Sequence, residues 1–271
     1  MKNRRPTGGP KHTAKDSRNR RSESREEWIY GLNPVFEAGR SGRGIRTVFI
    51  SSSRTSHGGV EQLLGLLSQR NITVKRVDEA FFDDRFPKGH QGIAATAEPR
   101  RYADFDALLA APALKGESPL FLLLDCIKDP RNFGAILRTA DAGGVHGVVI
   151  QAHRSVSLTP EAVKTSAGAS EHMPVAMVPN IKHAIWSMQE QGALVVGADA
   201  DATVSVWDAD LSGPLGIVIG AEGEGMRRTV REDCDLLVSL PMRGRVNSLN
   251  ASVAAGVIIF EAIRQRRGKT T

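Results

Sequence analysis

Five short apolar runs leave the second half of this chain few ways to fold. They are Leu120-Phe-Leu-Leu-Leu124, Gly147-Val-Val-Ile150, Ala193-Leu-Val-Val196, Leu215-Gly-Ile-Val-Ile219 and Leu236-Leu-Val-Ser-Leu240. A strand with one wetted face alternates polar and apolar residues. These runs do not alternate, so each is expected to be buried on both faces. Helical patterns separate most of them. Strands alternating with helices indicate a parallel sheet covered on both sides. The fold class expected for residues 119–271 is therefore α/β with a parallel sheet.

A smaller unit precedes it. Trp28-Ile-Tyr-Gly-Leu-Asn-Pro-Val-Phe-Glu-Ala starts strand-like and turns helical after Asn33-Pro34. Thr47–Ile50, Ile72–Val77 and Gly92–Ala97 read as strands. Leu63, Leu64, Leu66 and Leu67 give Val60–Arg70 a helix pattern. Residues 28–98 are thus expected to form a small α/β/α unit. Pro99, Pro112, Gly116 and Pro119 mark 99–118 as a linker, with a short helix candidate at Asp104–Ala110. The last element, Asn250 to Arg266, is small and apolar in its first half. Arg264, Arg266, Arg267 and Lys269 close it, and cations suit a helix C-terminus. A helix with so little polar surface is expected to be buried nearly all round, against a sheet or a second subunit.

The formal net charge is +6, and it is unevenly placed. Residues 1–25 hold nine basic side chains and two acids, a net of +7, which leaves the remainder at −1. Residues 1–27 form a tail with too few apolar side chains to build a core. The tail is expected to be disordered and to attract a polyanion, nucleic acid above all. A solvated leader is the plainer alternative. Cys126 and Cys234 stand in no CxxC pair, so neither a disulfide scaffold nor a cysteine zinc site is expected. No apolar stretch approaches the ~20 residues that span a bilayer. The basic N-terminus lacks the apolar core of a signal peptide. A cytoplasmic protein without membrane or metal is expected.

An α/β domain invites a nucleotide reading, yet the usual fingerprints are missing. No GxGxxG follows a strand, Gly268-Lys269-Thr270 lacks its upstream glycine, and neither GxSxG nor HExxH occurs. Three unusual clusters remain. The first is Asp129-Pro-Arg-Asn-Phe-Gly-Ala-Ile-Leu-Arg138, directly after the strand 120–124. Phe133, Ile136, Leu137 and Ala140 make a helical stripe, with Asn132 near its N-cap end. The second is Ile219-Gly-Ala-Glu-Gly-Glu-Gly225, where three glycines allow close backbone approach after a strand. The third is Leu240-Pro-Met-Arg-Gly-Arg-Val-Asn-Ser-Leu-Asn-Ala-Ser252, between a strand and the final helix. Singly, each has a plain structural explanation: a helix cap for Asn132, an exposed cation for Arg138, a flexible acidic turn, an N-cap run of Ser and Asn.

Together they resemble, in order and spacing, the three signature motifs of the SpoU (TrmH-like) family of RNA 2′-O-ribose methyltransferases, in the knotted SPOUT class. Asn132 and Arg138 match the first motif. Gly220, Glu222 and Gly223 match the second. Pro241, Met242, Gly244, Ser248, Leu249, Asn250 and Ser252 match the third, with Ala251 where the family often has Val. Tyr30-Gly-Leu-Asn-Pro-Val-Phe-Glu and His90-Gln-Gly-Ile resemble the ends of the family's ribosomal-protein-like substrate-recognition domain. The resemblance covers residues 28–267 and is strongest in the second unit. The tail lies outside it.

The resemblance implies a catalytic domain whose C-terminal part threads a deep trefoil knot. It implies that the knot loops bind S-adenosylmethionine through backbone groups at Gly220, Leu240 and Leu249, with Ile219 and Met242 as apolar walls. It implies attack of a ribose 2′-oxygen on the sulfonium methyl without a metal, and Arg138 as the residue that manages the proton. With a pKa of roughly 12.5–13.8, arginine is a poor base, so Arg138 is better read as also holding the ribose-phosphate. Asn132 and Glu222 would orient Arg138 and the loop. Ser248 and Asn250 would bond the substrate or fix the cofactor loop, and Arg243 and Arg245 would meet RNA phosphates. The branch it resembles methylates a guanosine ribose in the peptidyl-transferase region of 23S rRNA. Methylation of tRNA, a non-catalytic knotted RNA-binding protein, and a methyltransferase of the ordinary open-sheet type are the alternatives. The resemblance also implies a homodimer built on residues 119–271, with Val253, Val257 and Phe260 as contacts.

Overall fold

The computed structural model describes residues 26–268 apart from Ser56 and Arg154. The basic residues 1–25 and the closing Lys269 lie outside the described residues. The first unit runs β1 (Glu27–Tyr30), α1 (Leu32–Ser41), β2 (Ile45–Ser51), α2 (Gly59–Gln69), β3 (Thr73–Val77), α3 (Glu79–Asp83) and β4 (Ile93–Ala97). Its sheet has the order β1-β4-β2-β3, with β4 antiparallel to both neighbours and β2 parallel to β3. Ile29, Val48 and Ile50 face α1 and α2 through Val35, Ala38, Leu63 and Leu67, all fully buried. The alternate residues Trp28, Tyr30 and Phe49 face the other way, toward Phe81 and Phe82 of α3.

The second unit continues through α4 (Phe105–Leu114), β5 (Leu120–Asp125), α5 (Pro130–Ala142), β6 (Gly147–Gln151), α6 (Pro160–Thr165), β7 (Val175–Val178), α7 (Ile181–Glu190) and β8 (Leu194–Ala198). It ends with β9 (Val204–Ser205), β10 (Leu215–Gly220), α8 (Arg228–Arg231), β11 (Leu236–Ser239) and α9 (Ala251–Gly268). The sheet order is β7-β6-β5-β10-β8-β11-β9, and every neighbouring pair is parallel. Strand β5 shows why its sequence is unbroken. Leu120, Leu122 and Leu124 pack in one layer with α5 and α9, whereas Phe121 and Leu123 pack in the other with α4 and α7. Each such fully buried side chain contributes about 1.5–3 kcal/mol. Among the described residues no helix is long and apolar enough to cross a membrane.

Two features differ from expectation. Residues 99–118 are not a free linker. They hold α4, capped by Asp104, whose side chain accepts from the Ala107 amide at 2.9 Å. Leu108 and Leu109 are buried in the sheet's second layer, and Ala103 bridges to Ala176 beside β7. Strand β7 had no long apolar run to announce it. Within this single chain, Val253 and Phe260 of α9 are each 50% exposed.

The two units share a packed boundary. Val163 of α6 is buried in the first unit's core. Glu171, nearly inaccessible, receives Arg43 at 3.0 Å and also Arg100, and Arg43 reaches Glu27 at 2.6 Å. Burial pushes the Arg100 guanidinium below its ordinary value, and Glu171 opposes that shift.

Candidate active site

The chain winds from β5 outward to β7, then crosses to the other side of β5, where β10 and β8 lie. Parallel sheets bind ligands beside such a reversal, at the carboxyl ends of the strands. All three motif clusters sit there.

The first cluster opens α5. Asp129, not Asn132, caps the helix: its carboxylate accepts from the Arg131 amide at 2.8 Å, and Pro130 takes the first turn, where no amide hydrogen is needed. Phe133, Ile136, Leu137 and Ala140 are fully buried as the stripe requires. Asn132 is thereby free of capping, and its Oδ1 accepts from Asn250 Nδ2 at 2.9 Å.

The second cluster is a tight turn after β10. Ala221 and Gly225 exchange backbone hydrogen bonds of 3.0 and 2.8 Å, with Gly223 and Gly225 at positive φ. Gly220 is required for a reason the sequence does not reveal. A Cβ there would stand 2.3 Å from the Gly225 carbonyl carbon and the Met226 nitrogen. The close approach is made by the chain's own backbone. Arg227 then anchors the turn on Asp125, fully buried at the end of β5. Its amide and Nε donate to that carboxylate at 2.8 Å each, and its other nitrogen reaches Gln151 at 2.6 Å. Hydrogen bonding to Asp125 pushes the Arg227 guanidinium further up from its ordinary value. The motif reading missed this pair, although a carboxylate ending an apolar strand signals it.

The third cluster leads from β11 into α9. Asn250 Oδ1 accepts from the Ser252 amide at 2.9 Å, which caps α9, and Asn250 Nδ2 also donates to Glu222. The Glu222 carboxylate accepts from the Ala251 amide at 3.4 Å, so it lies at the positive end of α9. Asn132, Glu222 and Asn250 thus form one polar junction.

Beside that junction is a cavity of about 340 Å³. Ile219, Gly220, Leu240, Met242 and Leu249 all line it, as do Glu222, Ser248 and Asn250. Asp199 and Ala200, beyond β8, and Asn247 line it too and were not singled out by sequence. Asp199 is held by Arg231 at 2.7 Å. The backbone amides of residues 242–249 donate no hydrogen bond to any described residue. An apolar slot with spare backbone donors suits a nucleoside-sized ligand such as S-adenosylmethionine.

Two sets of expected residues stay outside the cavity. Arg243 and Arg245 are exposed on the 240–250 loop. Arg138 is exposed on α5 and makes no ion pair among the described residues. Six residues beyond Asn132 place it roughly 240° round the helix and about 9 Å along it. Among the described residues no group of three or more His, Cys, Asp or Glu side chains could hold a metal ion.

Residues 119–260 match the SpoU rRNA methylase family model, and residues 28–103 match the model for RNA 2′-O ribose methyltransferase substrate binding. The chain belongs to the SpoU rRNA methylase family. Among SpoU relatives, YacO of Bacillus subtilis, assigned to the TrmH family of tRNA/rRNA methyltransferases, is 42% identical over 240 residues. That match covers 89% of this chain and 96% of YacO. The 23S rRNA (guanosine-2′-O-)-methyltransferase RlmB of Pseudomonas syringae is 39% identical over 248 residues, covering 91% of this chain and 98% of its own. The SpoU methyltransferase AviRb of Streptomyces viridochromogenes, solved with the cofactor AdoMet, superposes with a TM-score of 0.75 at 28% identity. It covers 93% of this chain and 94% of AviRb. A SpoU-family RNA methyltransferase therefore accounts for both units of the fold.

Proposed function

We propose that this methyltransferase transfers the methyl group of S-adenosylmethionine to the 2′-hydroxyl of a guanosine in the peptidyl-transferase region of 23S rRNA, in the cytoplasm. One observation carries the reading: the side chains of Asn132, Glu222 and Asn250 converge from three segments, and Glu222 and Asn250 line a nucleoside-sized cavity. Similarity to RlmB over nearly its whole length favours rRNA as the substrate.

S-adenosylmethionine supplies a methyl group already activated by the sulfonium charge. Ile219, Leu240, Met242 and Leu249 would supply apolar walls for it, and backbone groups of Gly220, Leu240 and Leu249 would hold it. Asn132 and Asn250 fix each other, and Glu222 fixes Asn250, so the amides are oriented before RNA arrives. Ser248 hydrogen-bonds the substrate or the loop. Arg138 holds the ribose-phosphate and manages the departing proton, and Arg243 and Arg245 contact phosphates.

The loop between β11 and α9 is read as part of a trefoil knot. The enzyme is read as a homodimer through the second unit. Val253, Val257 and Phe260 follow at i, i+4 and i+7, and two of them are half exposed, so α9 presents an apolar stripe to a partner.

The test is mass mapping of methylation on naked 23S rRNA and on tRNA incubated with the protein and S-adenosylmethionine. A 2′-O-methylguanosine in the peptidyl-transferase region is expected. Methylation of tRNA alone would replace the rRNA reading, and methylation of neither would overturn both.

A further inference from the structure

The outer face of the first sheet carries an aromatic cluster that the transfer chemistry does not use. Trp28 and Tyr30 of β1, Phe49 of β2, Phe81 of α3 and Phe86 just after it stand with neighbouring ring centroids 5.0–5.5 Å apart. A plain mini-core would close over these rings. Instead Trp28, Phe49, Phe81 and Phe86 are only partly buried.

Trp28 and Phe86 are partly exposed at a cleft between the two units, and Tyr30, only 4% exposed, also lines it. Trp28, Tyr30 and Phe86 form one wall, and Pro130 and Pro160 belong to the other. Two cations flank the aromatic cluster. Lys164 Nζ lies 5.3 Å from the Tyr30 centroid, and the Arg85 guanidinium lies 4.3 Å from that of Phe81. Glu161 is the acid in the cleft. Burial, and then the Glu161 carboxylate, push the Tyr30 hydroxyl up, so it stays a neutral phenol.

The position of the cleft identifies its occupant. Pro130 begins α5, and its neighbours Asp129 and Asn132 line a second small cleft together with Glu222. The aromatic cleft therefore adjoins the polar junction through a single turn of helix. A strand with its ribose at Asn132 and Glu222 would carry an adjacent base over Pro130. Flat rings flanked by cations bind unpaired bases by stacking and cation–π attraction, with little regard to sequence.

We propose that the cleft between Trp28, Tyr30 and Phe86 and the prolines Pro130 and Pro160 stacks the base of an unpaired nucleotide neighbouring the methylated ribose. This assignment rests on the RNA methyltransferase reading and adds the place where the substrate strand is gripped.

The experiment uses the full chain and a short oligo(U) carrying 5-iodouridine, which photocrosslinks to aromatic side chains. Adducts are expected on peptides containing Trp28, Tyr30 or Phe86. Adducts confined to other segments overturn the proposal. Phe86→Leu keeps an apolar side chain but removes the flat ring, so oligo(U) affinity should fall roughly five- to hundredfold. Phe86→Tyr should restore it, and melting temperature should not track either change. With RNA substrate, Phe86→Leu should raise KM more than it lowers kcat, with cofactor affinity by calorimetry unchanged. Wild-type oligo(U) affinity in a folded Phe86→Leu protein overturns the proposal. If the unmodified protein methylates no RNA, the methyltransferase reading falls, while crosslinking and affinity still judge the cleft.

Discussion

Asn132 and Asn250 are 118 residues apart in sequence, yet the Nδ2 of one lies 2.9 Å from the Oδ1 of the other. Glu222 completes the contact from the Asn250 side. The junction ties the start of α5, the turn after β10 and the start of α9 into one unit. Asn132→Ala removes the amide bridge without touching a helix cap. Methyl transfer should fall steeply while stability stays within about 0.5 kcal/mol of the parent. Asn250→Ala also removes the cap on Ser252, so it should lose about 1 kcal/mol as well. Thermal melts beside a radiolabelled transfer assay separate the two. Full turnover by Asn132→Ala would remove the junction from the mechanism.

Arg138 is exposed and makes no ion pair among the described residues, so its loss should leave the fold alone. Arg138→Ala is expected to reduce transfer by at least about 10²-fold with unchanged melting temperature and cofactor binding. Insoluble protein would point to a packing role instead, and normal turnover would end the catalytic assignment.

Gly220→Ala is expected to damage the site through the fold. The added methyl group would meet backbone atoms of Gly225 and Met226 at 2.3 Å, where nothing flexible can yield. Melting temperature and S-adenosylmethionine affinity should fall together. Calorimetry that finds weaker binding at an unchanged melting temperature would show that the glycine serves the ligand directly.

Glu171 neutralises Arg43 and Arg100 at the boundary between the units. Glu171→Ala leaves the buried Arg100 guanidinium without its ion-pair partner, while Arg43 keeps Glu27, and loss of about 3–5 kcal/mol is expected. Urea unfolding measures it. A change under 1 kcal/mol would mean that water replaces the carboxylate there.

Cys234 is pushed up from 9.0 to about 12, first by burial and then by the carboxylates of Asp235 and Asp233. At pH 8 iodoacetamide should leave it unlabelled in the native protein and label it after denaturation. The folded state keeps this proton more tightly than the unfolded state. Its stability contribution is therefore full below pH 9 and declines as pH rises toward 12, by at most about 1.4 kcal/mol per pH unit. Melts at pH 8 and pH 10 should show a smaller alkaline loss in Cys234→Ala than in the parent protein. Equal losses would place the titration elsewhere.

The sequence by itself determined most of the local elements and the family to which the motifs belong. An unbroken five-residue run such as Leu120–Leu124 is too short for a buried helix and fits a doubly covered strand, and the Phe133, Ile136, Leu137, Ala140 stripe fits a helix. Both are short-range consequences of side-chain periodicity. The motif spacing carried the family, and with it the residues around the cavity. Tertiary structure decided what depends on distant partners. Pro112 argued for a linker, but burial of Leu108 and Leu109 against the sheet holds α4 in place. The cap at Asn132 was an equally good local reading until Asp129 took that position and Asn250 supplied a partner. The role of Gly220 depended on where Gly225 folds back. Strand order and the meeting of Asn132, Glu222 and Asn250 are set by packing between segments 28 to 118 residues apart, and periodicity along one segment holds no record of its neighbours.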